Sequence, residues 1–206
     1  MRELVLQMMT TLNGRLDAPY AWVASVTEDQ YEAIVAHYAD YDTILVGHST
    51  YDEMVSYWPS ALESGEGSAS NQRMAQHMHD YRKVVISREE RQLQRWNNME
   101  QRTAADDTGL LGTINQLKGE EGKAILLSGG SSLARRAIAL DLVDVFRFFV
   151  YPTVSAGPPW FDELDGLNLE LVETNSFRNG VVELSYRLKP QVQRDEPSRF
   201  TELLSN

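Results

Sequence analysis

Two short segments of the sequence place glycine and hydroxyl side chains where an apolar run gives way to a helical pattern. They are residues 46–50 (VGHST) and 128–132 (SGGSS). Glycine lets the backbone approach a ligand closely, and a helix N-terminus offers unpaired N–H groups and the positive end of a dipole. Both segments therefore suit a phosphate-like anion. A pair of glycines is equally typical of a tight turn between strand and helix, so both interpretations stand.

A third segment, Ser87-Arg88, directly follows the apolar run 84–86. A hydroxyl beside a guanidinium suits a phosphate, although a surface helix start in the charged run 88–91 explains the same residues. In open α/β sheets, ligands bind beyond the carboxyl ends of the strands. If the three runs are adjacent strands, all three segments face one crevice.

Hydrophobic patterning predicts the elements that would position these segments. Continuous apolar runs predict buried strands, and apolar residues spaced by three and four predict helices. The strands are expected at 4–9, 42–47, 83–87, 123–128 and 143–150. One helix is expected after Thr27, with Tyr31, Ile34, Val35 and Tyr38 on one face, and further helices from Thr50 to Trp58 and at 73–81, 108–118 and 131–140. Alternating segments at 168–174 and 181–188, joined by a turn at 178–180, predict an antiparallel hairpin.

Helix starts are predicted from two capping-box pairs, Thr27 with Gln30 and Thr50 with Glu53. Pro59 is expected to end the second helix after Trp58, and the Ser- and Gly-rich stretch 61–71 is expected to be an exposed loop.

These elements predict a single α/β domain. Its sheet is twisted and mostly parallel, with helices on both faces and an antiparallel C-terminal hairpin. We expect the domain to occupy residues 1–189 and a polar tail to occupy 190–206.

The composition excludes several classes of function. The chain of 206 residues carries 30 acidic and 19 basic side chains, a formal net charge of −11, and it has no cysteine. Thiol catalysis, disulfides and thiolate metal sites are therefore excluded, and nucleic acid and anionic membranes are poor partners. No run of about 20 apolar residues is present, so we expect a cytoplasmic protein without a membrane span.

Other familiar ligand motifs are missing from the sequence. Neither the dinucleotide-binding glycine fingerprint nor the P-loop is present. His77 and His79 are two residues apart, so on a helix they point to different faces, and we expect no metal site.

Four motifs in order give the chain a resemblance to a known family. They are MTTLNGRLD at 9–17, DTILVGHSTYDEMVSYWP at 42–59, KVVISRE at 83–89, and the stretch 126–161 that begins LLSGGSSLARR. From about Leu4 to Leu188 the chain resembles the dihydrofolate reductase-like superfamily, specifically stand-alone bacterial proteins related to the reductase (RibD C-terminal) domain of riboflavin biosynthesis.

The resemblance implies a homodimer that uses NADPH as hydride donor, with NADH as the alternative. It implies a set of cofactor-binding residues: Gly47, His48, Ser49 and Thr50 at the ribose and phosphates, Ser87 and Arg88 at the 2′-phosphate, and Gly129, Gly130, Ser131, Ser132 and Leu133 at the pyrophosphate. It also implies that Asn13, Gly14 and Trp22 line the nicotinamide and substrate side.

Three positions depart from the family pattern. His48 stands where the family usually has Arg, and Asn13 where it commonly has Asp. Gly157 is followed by two prolines where two spaced glycines are typical. Glu53, one helical turn beyond Thr50, is our candidate acid or substrate anchor, with helix capping as the alternative role.

We therefore expect an NADPH-dependent reductase that transfers hydride to a small heterocycle of pterin or ribosylaminouracil type. The departures at Asn13 and His48 keep open a second hypothesis, a catalytically weak or inactive nucleotide-binding or sensing protein on the same fold.

Overall fold

The computed structural model describes residues 1–16, 19–157, 159–160, 164 and 167–189, which form one eight-stranded sheet and five α-helices. The strands are β1 (Leu4–Thr11), β2 (Tyr41–Gly47), β3 (Arg82–Ser87), β4 (Met99–Thr103), β5 (Ala124–Ser128), β6 (Val145–Tyr151), β7 (Leu169–Ser176) and β8 (Val182–Leu188). The helices are α1 (Glu28–Tyr38), α2 (His48–Ser64), α3 (Ala69–Asp80), α4 (Asp107–Gly119) and α5 (Ser131–Ala139).

The strand order in the sheet is β4-β3-β2-β5-β1-β6-β8-β7. The first six strands of the chain pair in parallel, and β8 runs antiparallel to both β6 and β7. The predicted fold class, an α/β domain with a mostly parallel sheet and an antiparallel C-terminal hairpin, is confirmed.

The core lies on both faces of the central strand β1. Leu4 and Leu6 pack against the layer that contains α4 and α5, whereas Val5 packs against the layer that contains α1, α2 and α3. Leu4 and Leu6 are fully buried. Because helices cover both faces, the central strands read as continuous apolar runs, which is why the sequence predicts them well.

The sequence pattern misses β4, whose residues Met99–Thr103 (MEQRT) are mostly polar. Among the described strands it pairs only with β3, at the edge of the sheet, and four of its five residues are half-buried. An edge strand of this kind needs no apolar run, since one side of it is left to solvent.

The predicted start and end of α2 are both wrong. The helix begins at His48 with Gly47 as its N-cap, so Thr50 and Glu53 lie inside the helix and form no capping box. Pro59 also lies inside it, and the helix ends only at Gly65, which takes a left-handed φ of +66°. The buried side chains of Met54, Val55 and Ala61 show that the packed face continues past the proline.

Most of the predicted loop 61–71 is helical. Only residues 65–68 separate α2 from α3, and Ser68 caps α3 by accepting a hydrogen bond from the Asn71 N–H at 3.2 Å.

The predicted helix after Thr27 is present, but its predicted capping box is wrong. The Thr27 side chain makes no capping hydrogen bond. Gln30 is fully buried, and its amide instead donates to the Tyr151 hydroxyl at 3.0 Å and accepts from Asn179 at 2.7 Å. Gln30 thus joins α1 to β6 and to the turn of the C-terminal hairpin.

The predicted tail, 190–206, lies outside the described residues. Within the described part of the chain, no helix is both long enough and apolar enough to cross a membrane.

Candidate functional site

The three segments singled out in the sequence follow β2, β3 and β5, which are neighbours in the order β3-β2-β5. Because these strands are parallel, their carboxyl ends meet at one edge of the sheet. Two cavities open at this edge, with volumes of about 220 Å³ and 790 Å³. Thr50 and Gly130 line both, so the two cavities adjoin.

The smaller cavity brings together nine of the eleven predicted cofactor-binding residues. Its lining consists of Gly47, His48, Ser49, Thr50, Ile86, Ser87, Arg88, Arg91, Gly130, Ser132, Leu133 and Arg136. The other two predicted residues, Gly129 and Ser131, line the larger cavity.

The backbone of the smaller cavity presents two helix N-termini. Gly47 and Gly130 are the N-caps of α2 and α5, and neither helix has a side-chain cap. Gly129 and Gly130 have left-handed φ angles of +62° and +72°. A Cβ on Gly129 would lie 2.8 Å from the Thr50 Cγ2, so only glycine allows this close approach of the two segments. The unpaired N–H groups and helix dipoles favour an anion here.

Three arginines add positive charge to the smaller cavity. Arg88 is exposed and has no ion-pair partner among the described residues. Arg91 pairs with Glu89 at 3.0 Å, and Arg136 pairs with Asp107 at 2.8 Å. Arg88 therefore carries the charge that is least compensated by the protein itself.

Arg91 and Arg136 are missing from the residues predicted by sequence. Arg136 lies four residues after Ser132 on α5, so helical spacing places it on the same face and could have found it. Arg91 lies in an irregular segment, where spacing carries no such signal.

Two predicted residues of this cavity are engaged with neighbours. The buried Ser87 hydroxyl donates to the Glu89 carbonyl at 2.6 Å, which commits its proton to the loop after β3. The His48 Nε2 lies 3.2 Å from the Ser49 hydroxyl.

The larger cavity is walled by one face of α2, on which Thr50, Glu53, Met54, Tyr57 and Trp58 follow helical spacing. The opposite walls come from α1, α3 and strands β1 and β6. They contribute Gln7, Met8, Met9, Tyr31, Ile34, Tyr38, Asn71, Met74, Met78 and Phe149. Most of this lining is apolar, which suits the flat face of a ring.

Comparison with known proteins identifies the family of this chain. The family model described as the RibD C-terminal domain matches residues 2–183. The chain belongs to the RibD C-terminal domain family. The Bacillus subtilis (strain 168) protein YyaP, an uncharacterized relative, is 29% identical over 187 residues, which cover 90% of this chain and 94% of YyaP.

Solved structures with a similar fold include two reductase-type proteins. A pyrimidine reductase-like protein from Corynebacterium diphtheriae has a TM-score of 0.62 at 14% identity, with 92% of this chain and 93% of that one covered. Dihydrofolate reductase from Enterococcus faecalis, solved with NADP(H) and RAB-propyl, has a TM-score of 0.59 at 12% identity, with 91% and 97% covered. This member of the RibD C-terminal family therefore has a reductase-type fold.

Glu53, Asn13 and Trp22 are the residues of this family member that we expected on the substrate side of the site. Glu53 is exposed and lines the larger cavity. Asn13 and Trp22 are not among the described lining residues of either cavity. Asn13 accepts from the Thr11 hydroxyl and donates to the Ser155 carbonyl, both at 2.8 Å, so it joins the loops that follow β1 and β6.

Trp22 is 8% exposed and meets the ring of Tyr151 edge-on, with 5.5 Å between the ring centroids. Within the described part of the chain, no group of three or more His, Asp or Glu residues could hold a metal ion.

Proposed function

We propose that this protein is an NADPH-dependent reductase that transfers hydride to a small heterocyclic substrate of pterin or ribosylaminouracil type. The observation that carries the proposal is the adjacency of the two cavities. The smaller cavity is lined by helix N-termini and arginines, which suit an anion. The larger cavity is lined by aromatic and thioether side chains, which suit a planar ring.

The residues of the smaller cavity fit the phosphate groups of a nicotinamide dinucleotide. The Gly129-Gly130 turn leaves the N-terminus of α5 without a side-chain cap at this cavity, and Arg88 has no ion-pair partner among the described residues. In this proposal the turn and the α5 N-terminus hold the pyrophosphate, while His48 and Arg88 hold the 2′-phosphate. The bound cofactor supplies the hydride, and the protein supplies orientation and electrostatics.

Glu53 is the candidate for handling the proton that accompanies hydride transfer. It contributes the only carboxylate to the described lining of the larger cavity. Because α2 starts at His48, Glu53 has no capping role to compete with that function. It would hold a proton or anchor a polar edge of the substrate.

A second candidate function is nucleotide binding without turnover. The amide of Asn13, which stands where the family commonly has an aspartate, is occupied by hydrogen bonds to Thr11 and Ser155. A neutral amide cannot replace a carboxylate in proton transfer. This arrangement favours a binding or sensing protein that kept the cofactor site.

NADPH binding tests the proposal directly. Titration of the protein into NADPH, followed by nicotinamide fluorescence, is expected to show saturable binding in the micromolar range. Absence of binding at high micromolar cofactor would overturn both candidate functions. If NADPH binds, its oxidation in the presence of dihydropteridine or aminouracil acceptors supports the reductase, and the absence of oxidation with every acceptor supports the sensing protein.

We also propose that the protein is a homodimer, as the resemblance to the family implies. Light scattering coupled to size exclusion is expected to give twice the chain mass of 23.4 kDa. A single-chain mass across the micromolar range would contradict this.

A further inference from the structure

The larger cavity differs from the smaller one in the charge of its described lining. Its described lining contains no Lys, Arg or His. The positions before residue 190 that the structure leaves undescribed add none, because residues 17–18, 158, 161–163 and 165–166 are acidic, apolar, proline or glycine. A phosphate placed here would face the carboxylate of Glu53 without a compensating cation, which disfavours anionic substrates.

Gln7 is the unusual residue on the floor of this cavity. It lies on the central strand β1, in register with Ser128 of β5 and Arg147 of β6, and its side chain is half-buried. Its Oε1 is enclosed and has no hydrogen-bond partner among the described residues. A buried amide oxygen without a partner costs stability, and most such groups in native proteins are satisfied.

The other amide in the cavity wall is already engaged. The Asn71 Nδ2 donates to the Tyr31 hydroxyl at 3.0 Å and lies 3.4 Å from the Tyr57 hydroxyl, which ties together α1, α2 and α3. Gln7 therefore differs from Asn71, because its Oε1 has no hydrogen-bond partner among the described residues.

We propose that Gln7 recognises the substrate, and that the substrate is an uncharged planar heterocycle with an amide-like N–H or C=O edge. Because the Oε1 is enclosed, the side-chain amide of Gln7 rotates to present it to the cavity, and there it meets the edge of the ring. The ring faces contact apolar and aromatic side chains such as Met54, Trp58 and Phe149. The proposal rests on the proposed function and narrows it, since it disfavours phosphorylated substrates.

Three planar probes of similar size separate these features. Lumichrome carries a uracil-like edge, phenazine has none, and phenazine-1-carboxylate adds a negative charge. Binding is followed by quenching of tryptophan fluorescence, because Trp58 lies in the cavity wall. In the wild type we expect lumichrome to bind about fivefold to tenfold more tightly than phenazine. We expect phenazine-1-carboxylate to bind at least tenfold more weakly than phenazine.

The variant Gln7→Met keeps the size of the side chain and removes its hydrogen bonds. We expect it to lose the preference for lumichrome, with about fivefold to tenfold weaker lumichrome binding and unchanged phenazine binding. We expect its thermal midpoint to stay the same or rise, because an unpartnered buried amide is replaced by an apolar chain. If Gln7 were only structural, the midpoint would fall and both probes would weaken together.

The proposal is overturned if lumichrome does not bind below about 1 mM, if Gln7→Met binds it as tightly as the wild type, or if the carboxylate binds as tightly as phenazine. If Gln7→Met fails to fold, the binding of the three probes to the wild type still tests the proposal. NADPH titration of the same samples separates a failure of the proposed function from a failure of the role of Gln7. Absence of NADPH binding with the probe pattern intact defeats both candidate functions but not the role of Gln7, and NADPH binding without the probe pattern defeats only the role of Gln7.

Discussion

At the residue scale, the anion-binding character of the smaller cavity depends on a few side chains in a protein of net charge −11. Arg91 and Arg136 are each paired with a carboxylate, and His48 stands where the family usually has Arg. Arg88 is left as the arginine of this cavity without an ion-pair partner in the described chain. Selectivity for a 2′-phosphate should therefore depend on Arg88 more than on its neighbours.

We expect Arg88→Ala to weaken NADPH binding by about tenfold and NADH binding by less than twofold, because only NADPH carries the 2′-phosphate. Fluorescence titrations with both cofactors provide the measurement. Arg95→Ala is the matched control, since Arg95 is an arginine of the same irregular segment that lines a different cavity. Equal losses for NADPH and NADH in Arg88→Ala would contradict this assignment.

At the element scale, the turn between β5 and α5 determines how closely the backbone approaches α2. Gly129 and Gly130 both have left-handed φ angles, and Thr50 of α2 packs against this turn. A side chain at Gly129 would be strained by its φ angle and would also push α2 away from α5. The turn therefore keeps the two helix N-termini close together.

We expect Gly129→Ala to destabilise the protein by roughly 1–3 kcal/mol and to weaken NADPH binding. Urea unfolding monitored by circular dichroism gives the free energy of unfolding. Gly112→Ala is the control, because Gly112 lies inside α4 with nothing within 4 Å of a Cβ, and we expect it to be neutral or stabilising by up to about 1 kcal/mol. Equal stability of the two variants would show that the turn tolerates a side chain.

At the scale of the whole molecule, a buried charge cluster fastens the C-terminal hairpin to the rest of the domain. Glu183 of β8 is 1% exposed, and its carboxylate lies 2.5 Å from the His37 Nε2 of α1 and 3.2 Å from the Arg147 Nε of β6. Burial raises the pKa of Glu183, but the hydrogen bond from His37 and the charges of His37 and Arg147 outweigh it, so the net pKa lies below the ordinary value.

A carboxyl group whose pKa is lower in the folded state stabilises the fold above its unfolded pKa, and this contribution disappears as pH falls through the folded value. We expect Glu183→Gln to cost about 3 kcal/mol at pH 7, where Arg147 would be left without its carboxylate. The difference from the wild type should shrink at about pH 4 and below. Urea unfolding across this pH range provides the test.

Glu173→Gln is the matched control for the charge cluster. Glu173 lies on the neighbouring strand β7 and is exposed, so we expect a change within about 0.5 kcal/mol at any pH. A pH-independent loss in Glu183→Gln would show that the lost interaction is not that of the ionised carboxylate.

The sequence predicts the elements best where burial is complete. The strands β2, β3 and β5 are recognisable because both of their faces are covered, and their apolar runs are unbroken. Capping signals are less informative. The pairs Thr27–Gln30 and Thr50–Glu53 have the right spacing, yet neither forms a capping box, because tertiary contacts or a different first residue decide the cap.

In the candidate site, too, some residues are indicated by the local sequence and others only by tertiary contacts. The glycines and hydroxyls at strand ends are local features, so the sequence alone indicates an anion site there. Helical spacing from Ser132 marks Arg136, but Arg91 and Gln7 carry no local signal for binding, since each becomes part of a cavity only through residues distant in the chain. Trp22 is a candidate in the sequence, but the structure packs it against Tyr151.

The sequence by itself determined the fold class, the three polar segments that follow apolar strands, and the family to which their order points. Only the tertiary structure decided that β3, β2 and β5 are neighbours and that two cavities share Thr50 and Gly130. It also decided that Gln7 lines one of them, with an Oε1 that has no partner among the described residues. The reason is physical. Hydrophobic periodicity reports the burial of each segment, whereas strand order and cavity shape depend on packing between segments far apart in the chain.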